Sequence, residues 1–145
     1  MILYLDTSAL VKRYFREPFS DEVVLRWKAA TEIVISSVAY AETLASFYRK
    51  KREAGLKEAV ARRVIEAFRL DWKSFIRIKV NGELDEYLDR ALARYPLRGF
   101  DAIHLASAVL VREGLREDIL FVCFDQVLAR AARKEGFETF PHSSG

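Results

Sequence analysis

Cysteine is almost absent from this chain, which removes one means of holding a fold together. The single Cys123 has no internal partner for a disulfide. Its place in an apolar run reads as a small buried hydrophobe, and a reducing cytoplasm is the expected setting. Long apolar runs are missing as well. The opening Met1-Ile2-Leu3-Tyr4-Leu5-Asp6 has no basic stretch and no extended apolar core, so neither a signal peptide nor a membrane span is expected. No strand leads into a glycine-rich phosphate loop, which argues against a nucleotide-cofactor enzyme. Repeats, low-complexity tracts and linkers are lacking across the 145 residues. That length fits one domain, expected over residues 1–140, with a frayed tail over 141–145.

What is present is ordinary in amount and uneven in placing. Hydrophobic residues make up 51% of the chain, enough for a packed core without disulfides. The 24 Lys and Arg against 21 Asp and Glu leave a net charge of +3, which permits nucleic-acid binding without demanding it. Arg49-Lys50-Lys51-Arg52 concentrates four cations at the end of a helical segment. There they would complement the helix dipole, and a solvated helix end explains them on their own.

Short apolar runs alternate with helical patterns. Ile2 to Leu5, Ile33 to Ile35, Phe75 to Val80 and Ile119 to Phe124 read as strands, and Thr139-Phe140 as a further edge strand. Between them, helices are expected after Asp6, after a Ser20-Asp21 cap, from about Val38 to Arg52, after Gly55, from Glu83 to Tyr95, from Asp101 to about Arg112, and from Asp125 to Lys134. Gly114 and Gly136 are expected to close the last two. Parallel strands need crossover connections, so the pattern predicts an α/β three-layer sandwich, a central parallel sheet of four or five strands with helices on both faces. In such sheets ligands collect beyond the carboxyl ends of the strands.

Asp6, Glu42, Asp101 and Asp125 stand where that sheet would gather them. Carboxylates brought close together repel and take up protons unless a cation offsets their charge, and a hard ion such as Mg²⁺ or Mn²⁺ prefers oxygen ligands. Asp6, Asp101 and Asp125 could equally cap the helices they precede. Glu42 is expected on a narrow buried face with Val38, Ala41 and Ala45, where it needs a cation, an arginine or a hydrogen-bond donor. Thr7, Ser8, Ser36 and Ser37 could orient carboxylates or act as caps. His104 reads as a packed histidine with a hydrogen bond rather than a catalytic one, and His142 has less claim still.

On these residues the chain resembles the PIN-domain proteins, and more closely the VapC-type ribonuclease toxins of prokaryotic toxin–antitoxin pairs. Four stretches carry the likeness: Ile2 to Leu10, Ile35 to Glu42, Arg98 to Ala106 and Phe124 to Ala132. The resemblance implies that Asp6, Glu42, Asp101 and Asp125 bind Mg²⁺ or Mn²⁺, that Thr7 or Ser8 supports them, and that the chain cuts RNA internally. It also implies a homodimer held inactive by a VapB-like antitoxin. The family often has Thr or Ser two residues before its last Asp, where this chain has Cys123. A thiol is a weaker donor and a poor partner for Mg²⁺, so looser surroundings are expected at Asp125.

Metal-activated water would leave a 5′ phosphate and a 3′ hydroxyl. Cations should frame the acidic pocket and grip phosphate, with Arg98, Arg49 and Arg52 leading and Lys12 and Arg13 next. Two other readings remain open. One is a PIN-like domain that binds RNA or protein without cutting. The other is a phosphatase using Asp6 as nucleophile, although Asp6-Thr7-Ser8-Ala9 lacks the second acid two residues later that the haloacid-dehalogenase type uses.

Overall fold

The computed structural model describes residues 1–142. Five parallel strands form one sheet in the order β3-β2-β1-β4-β5: β1 Ile2–Leu5, β2 Glu32–Ser36, β3 Ile76–Ile78, β4 Ile119–Val122 and β5 Glu138–Phe140. Seven helices connect them: α1 Thr7–Leu10, α2 Ser20–Ala29, α3 Ala39–Glu53, α4 Glu58–Trp72, α5 Asp85–Arg94, α6 Gly99–Leu115 and α7 Gln126–Lys134. Among the described residues no helix is long and apolar enough to cross a membrane. The expected tail begins inside them, at Pro141 and His142. Residues 143–145 lie outside the described range.

Strand periodicity divides the core in two. Ile2 and Tyr4 of β1, with Val34, Ile119 and Phe121, face Leu105 of α6 and Leu128 of α7. Leu3 and Leu5, with Ile33, Ile35, Leu120 and Val122, face the opposite layer, where Val23, Phe47, Ile65 and Phe68 come from α2, α3 and α4. Successive side chains of a strand point to opposite faces. Apolar residues at every position of β1 and β4 therefore serve both layers, as a doubly covered parallel sheet requires. β1 and β4 are neighbours although most of the chain separates them. The chain builds β2 and β3 on one side of β1 and then returns to build β4 and β5 on the other. The carboxyl ends of β1 and β4 thus meet at the point where strand order reverses, the usual ligand crevice of such sheets.

Several expected boundaries shift. α3 buries Ala39, Thr43 and Phe47, while Ala41 and Ala45 are exposed. The buried face is rotated from the Val38, Ala41, Glu42, Ala45 face that the small side chains suggested, because Phe47 supplies the bulk that fills the layer. α6 begins at Gly99, two residues before Asp101, and passes through Gly114 to a left-handed Arg116 at φ 53°. Arg98 gives its opening no side-chain cap, and the exposed first turn leaves its unpaired N–H groups to water. Ser20 is the first residue of α2 rather than its cap. Phe19 holds that place at φ 72°, and Ser20 Oγ accepts from Glu17 N at 2.9 Å. Only Ile76–Ile78 of the expected Phe75 to Val80 strand pairs, as befits a sheet edge.

Candidate active site

Two of the four acids reach the crevice as helix caps. Asp6 follows β1 and takes Ala9 N on Oδ1 at 3.0 Å; Asp125 follows β4 and takes Leu128 N on Oδ1 at 2.9 Å. The capping expected of them is present, and it aims both carboxyl groups at the same end of the sheet. Asp101 does not cap. It lies in the first turn of α6, and its carboxylate accepts no hydrogen bond among the described residues. Glu42 sits in the first turn of α3, half-buried at the edge of the packed face.

Each carboxylate is fixed differently. Ser8 Oγ donates to Asp6 Oδ1 at 2.7 Å and receives Phe124 N at 2.9 Å, so one hydroxyl ties the end of β1 to the end of β4. Thr7 Oγ1 donates to Glu42 Oε1 at 2.7 Å, and His104 Nε2 lies 3.0 Å from the same oxygen. Ser36 and Ser37 serve the turn before α3: Ser36 Oγ accepts Val38 N, and Ser37 N bonds Ile78 O. Cys123 Sγ donates to Asp6 Oδ2 at 3.3 Å and contacts the Asp125 backbone at 3.4 and 3.3 Å. The thiol that replaces the family's usual hydroxyl therefore bears on Asp6, and it also ties the Asp125 backbone where looser surroundings were expected.

The four acids form one electrostatic group. Burial pushes the Asp101 carboxyl above the usual range, Asp125 pushes it further, and Asp6 and Glu42 add to the same effect against the pull of His104. Asp6 is also raised, by its burial first, although His104 and its hydrogen bonds from Ser8, Ala9 and Cys123 work against that. Glu42 goes the other way. Burial alone would raise it, but hydrogen bonds from His104 and Thr7 and the His104 charge outweigh burial and hold it low. No Lys or Arg among the described residues pairs with any of the four; the only ion-pair partner is His104, on Glu42. A carboxylate cluster that runs from the buried Asp6 to the exposed Asp125 with no Lys or Arg paired to it is the arrangement that an added cation would stabilise.

The donor set fits a hard divalent ion, since it offers carboxylate and hydroxyl oxygens. Among the described residues no three His, Cys, Asp or Glu side chains are grouped closely enough to hold an ion by themselves. Mg²⁺ does not require that, because it keeps several waters and needs only one or two carboxylates.

His104 and Tyr4 belong to this site and were not assigned to it from sequence. The imidazole is 2% exposed. Its Nδ1 lies 3.0 Å from Tyr4 Oη and its Nε2 3.0 Å from Glu42. The ring therefore bridges the two groups, reaching Glu42 through Nε2 and Tyr4 through Nδ1. Tyr4 is fully buried and, through that burial, held well above its ordinary pKa, so it stays an O–H donor. The signal was spacing: His104 is three residues after Asp101 on one helix, and such pairs share a face.

The expected cationic frame is only partly free. Arg98 is exposed at the start of α6. Arg49 and Arg52 are exposed too, but lie further along α3, roughly 10 and 15 Å beyond Glu42 at 1.5 Å per residue. Lys12 is buried, 3.5 Å from Glu17 and 4.4 Å above the Phe124 ring. Arg13 bonds Asp71 at 3.1 Å and covers Trp27 at 4.6 Å. Both charges are engaged within the fold.

Known proteins share this architecture. The PIN domain family model matches residues 3–134. Ribonuclease VapC45 of Mycobacterium tuberculosis is 27% identical over 143 residues, 97% of this chain and 95% of that protein. Among solved structures, a toxin-antitoxin complex from Klebsiella pneumoniae superposes with a TM-score of 0.64 at 18% identity, covering 88% of this chain and 90% of that one. Mycobacterium tuberculosis VapC20, described as a Sarcin-Ricin loop cleaving toxin, gives 0.62 at 19% identity, with 93% and 95% covered.

Proposed function

Because this chain belongs to the PIN domain family, we propose that it is a divalent-metal-dependent endoribonuclease and the toxin of a VapBC-type pair. One observation carries the reading: four carboxylates couple at the switch point of the sheet with no Lys or Arg paired to them. The ribonuclease name of the 27% identical relative supports the substrate class.

Asp6 and Asp101 would hold Mg²⁺ or Mn²⁺, with Glu42 and Asp125 assisting, and the ion would supply a water of lowered pKa and neutralise the phosphate. Glu42 keeps its charge through the His104 and Thr7 hydrogen bonds and has Oε2 free of protein partners among the described residues, which suits it to orient the attacking water. Thr7 and Ser8 hold Glu42 and Asp6 in place. Arg98, with Arg49 and Arg52 further off, would draw the RNA backbone against the pocket's repulsion. Lys12 and Arg13 serve the fold.

Water attacks phosphorus in line with the 3′ oxygen, so the products carry a 5′ phosphate and a 3′ hydroxyl. Mass spectrometry of the cleaved ends is the direct test. A 2′,3′ cyclic phosphate would overturn this chemistry. RNA bound without any cleavage in Mg²⁺ or Mn²⁺ would leave only a binding domain. A homodimer and an antitoxin partner belong to the same proposal, and the structurally similar toxin-antitoxin complex supports the antitoxin. Purification with the product of an adjacent gene, and loss of cleavage in that complex, test the partner.

A further inference from the structure

Beside the acid cluster lies a cavity of about 660 Å³, between the start of α7 and the chain leaving β5. Cys123 and Asp125 line it, so it opens onto the acids rather than standing apart from them. Its volume suits a nucleotide-sized ligand.

Its walls carry two kinds of group that the cleavage chemistry does not use. Arg130 and Arg133 stand three residues apart on α7 and therefore share a face. Neither forms an ion pair among the described residues; Arg133 is steadied by its bond to Thr139 Oγ1 at 3.0 Å, and Arg130 is exposed. Phe19 supplies the aromatic wall. The residue is 47% exposed although its ring packs at 5.6 Å from Phe124 and 6.1 Å from Phe140. Its backbone is left-handed at φ 72°, a conformation that a bulky side chain adopts only when its surroundings hold it there. A half-exposed, braced ring beside two available guanidinium groups is a platform for a base and a clamp for a phosphate.

We propose that this cavity receives a nucleotide of single-stranded RNA flanking the cleaved bond, with its base on Phe19 and its phosphate on Arg130 and Arg133. The proposal rests on the nuclease reading for its context. Its test does not depend on catalysis.

A 5′-fluorescein-labelled ten-residue oligouridylate is titrated with the protein in EDTA, and anisotropy is followed across a salt series. Arg130→Glu should weaken binding about five-fold or more and lower the log–log salt slope by roughly 0.7 per lost phosphate contact. Phe19→Gly keeps a residue suited to φ 72° while removing the ring; it should weaken binding about five-fold or more with the slope unchanged. Adenosine 5′-monophosphate should displace the probe where inorganic phosphate at the same concentration does not. Wild-type affinity and slope in both variants would overturn the cavity's role, even if the enzyme cuts RNA. Binding that depends on both residues in a protein that never cuts RNA would uphold the cavity and sink the nuclease reading alone.

Discussion

Asp101→Asn separates the electrostatic account of the site from a purely structural one. The Asp101 carboxylate accepts no hydrogen bond among the described residues, yet it is driven upward by burial and then by Asp125, Asp6 and Glu42. The first turn of α6 should favour a negative charge there by about 0.3–1 kcal/mol. The net direction is nevertheless upward, so desolvation and repulsion outweigh the helix end. Asn keeps the shape and removes the charge. Relief at a partly exposed site is on the order of 0.5–1 kcal/mol, which raises Tm by about 2–4 °C for a domain of this size. An acid whose folded pKa lies above its unfolded value holds more protons when folded, so its stabilising contribution is lost as pH rises through that window. The gain from Asp101→Asn is therefore present at neutral pH and vanishes in acid, where Asp101 is protonated in both states.

Adding the ion should reverse the ranking. A ligand at a hundred times its Kd stabilises by about 2.7 kcal/mol, or roughly 5–10 °C here, and Asp101→Asn should forfeit most of that shift. Cleavage should fall by roughly 10²–10⁴, because several kcal/mol of charge stabilisation are lost at about 1.4 kcal/mol per factor of ten. Calorimetric melting in EDTA and in Mn²⁺, beside an RNA cleavage assay, reads all three effects. A variant that melts below wild type without metal, or that keeps the full Mn²⁺ shift, would refute the shared-ion argument.

His104→Phe removes the bridge between Tyr4 and Glu42 and leaves both polar groups without it, at a cost of about 2–3 kcal/mol in denaturant unfolding. Tyr4→Phe, which removes one donor only, should cost about 1 kcal/mol; equal costs for the two would argue against the bridge. Cys123→Ser replaces a weak donor on Asp6 with a stronger one in a similar volume, so cleavage should hold or rise while Tm changes little, and a ten-fold loss of activity would contradict the contact's assigned role. Arg98→Glu should weaken RNA binding and flatten its salt dependence by roughly 0.7 in log–log slope, measured by anisotropy in EDTA.

Local chemistry made much of this protein readable in advance. Four of the five strands announced themselves as β-branched or apolar runs ended by polar residues, and the helix-capping roles of Asp6 and Asp125 followed from their place before helical patterns. Parallel pairing followed as well, because strands joined through helices have little alternative. The likeness to a known family singled out the same four acids. Their partners were another matter. The buried face of α3 turned away from Ala41 and Ala45 because Phe47 had to fill the layer beneath the sheet, and α6 took in the exposed Gly99 and Phe100 ahead of Asp101, where water can meet the unpaired N–H groups.

Sequence alone determined which chemistry was available: oxygen donors, a single thiol, and cations such as Arg98 close to the acids along the chain. Tertiary structure alone decided who touches whom. Tyr4 and His104 are a hundred residues apart, and the Cys123 thiol reaches Asp6 from the neighbouring strand. Lys12 and Arg13, cationic in any reading of the chain, are already engaged by Glu17 and Asp71. Periodicity reports the faces of one helix or strand; contacts between elements depend on how those faces are rotated and spaced once packed, and that is settled only when the whole core closes.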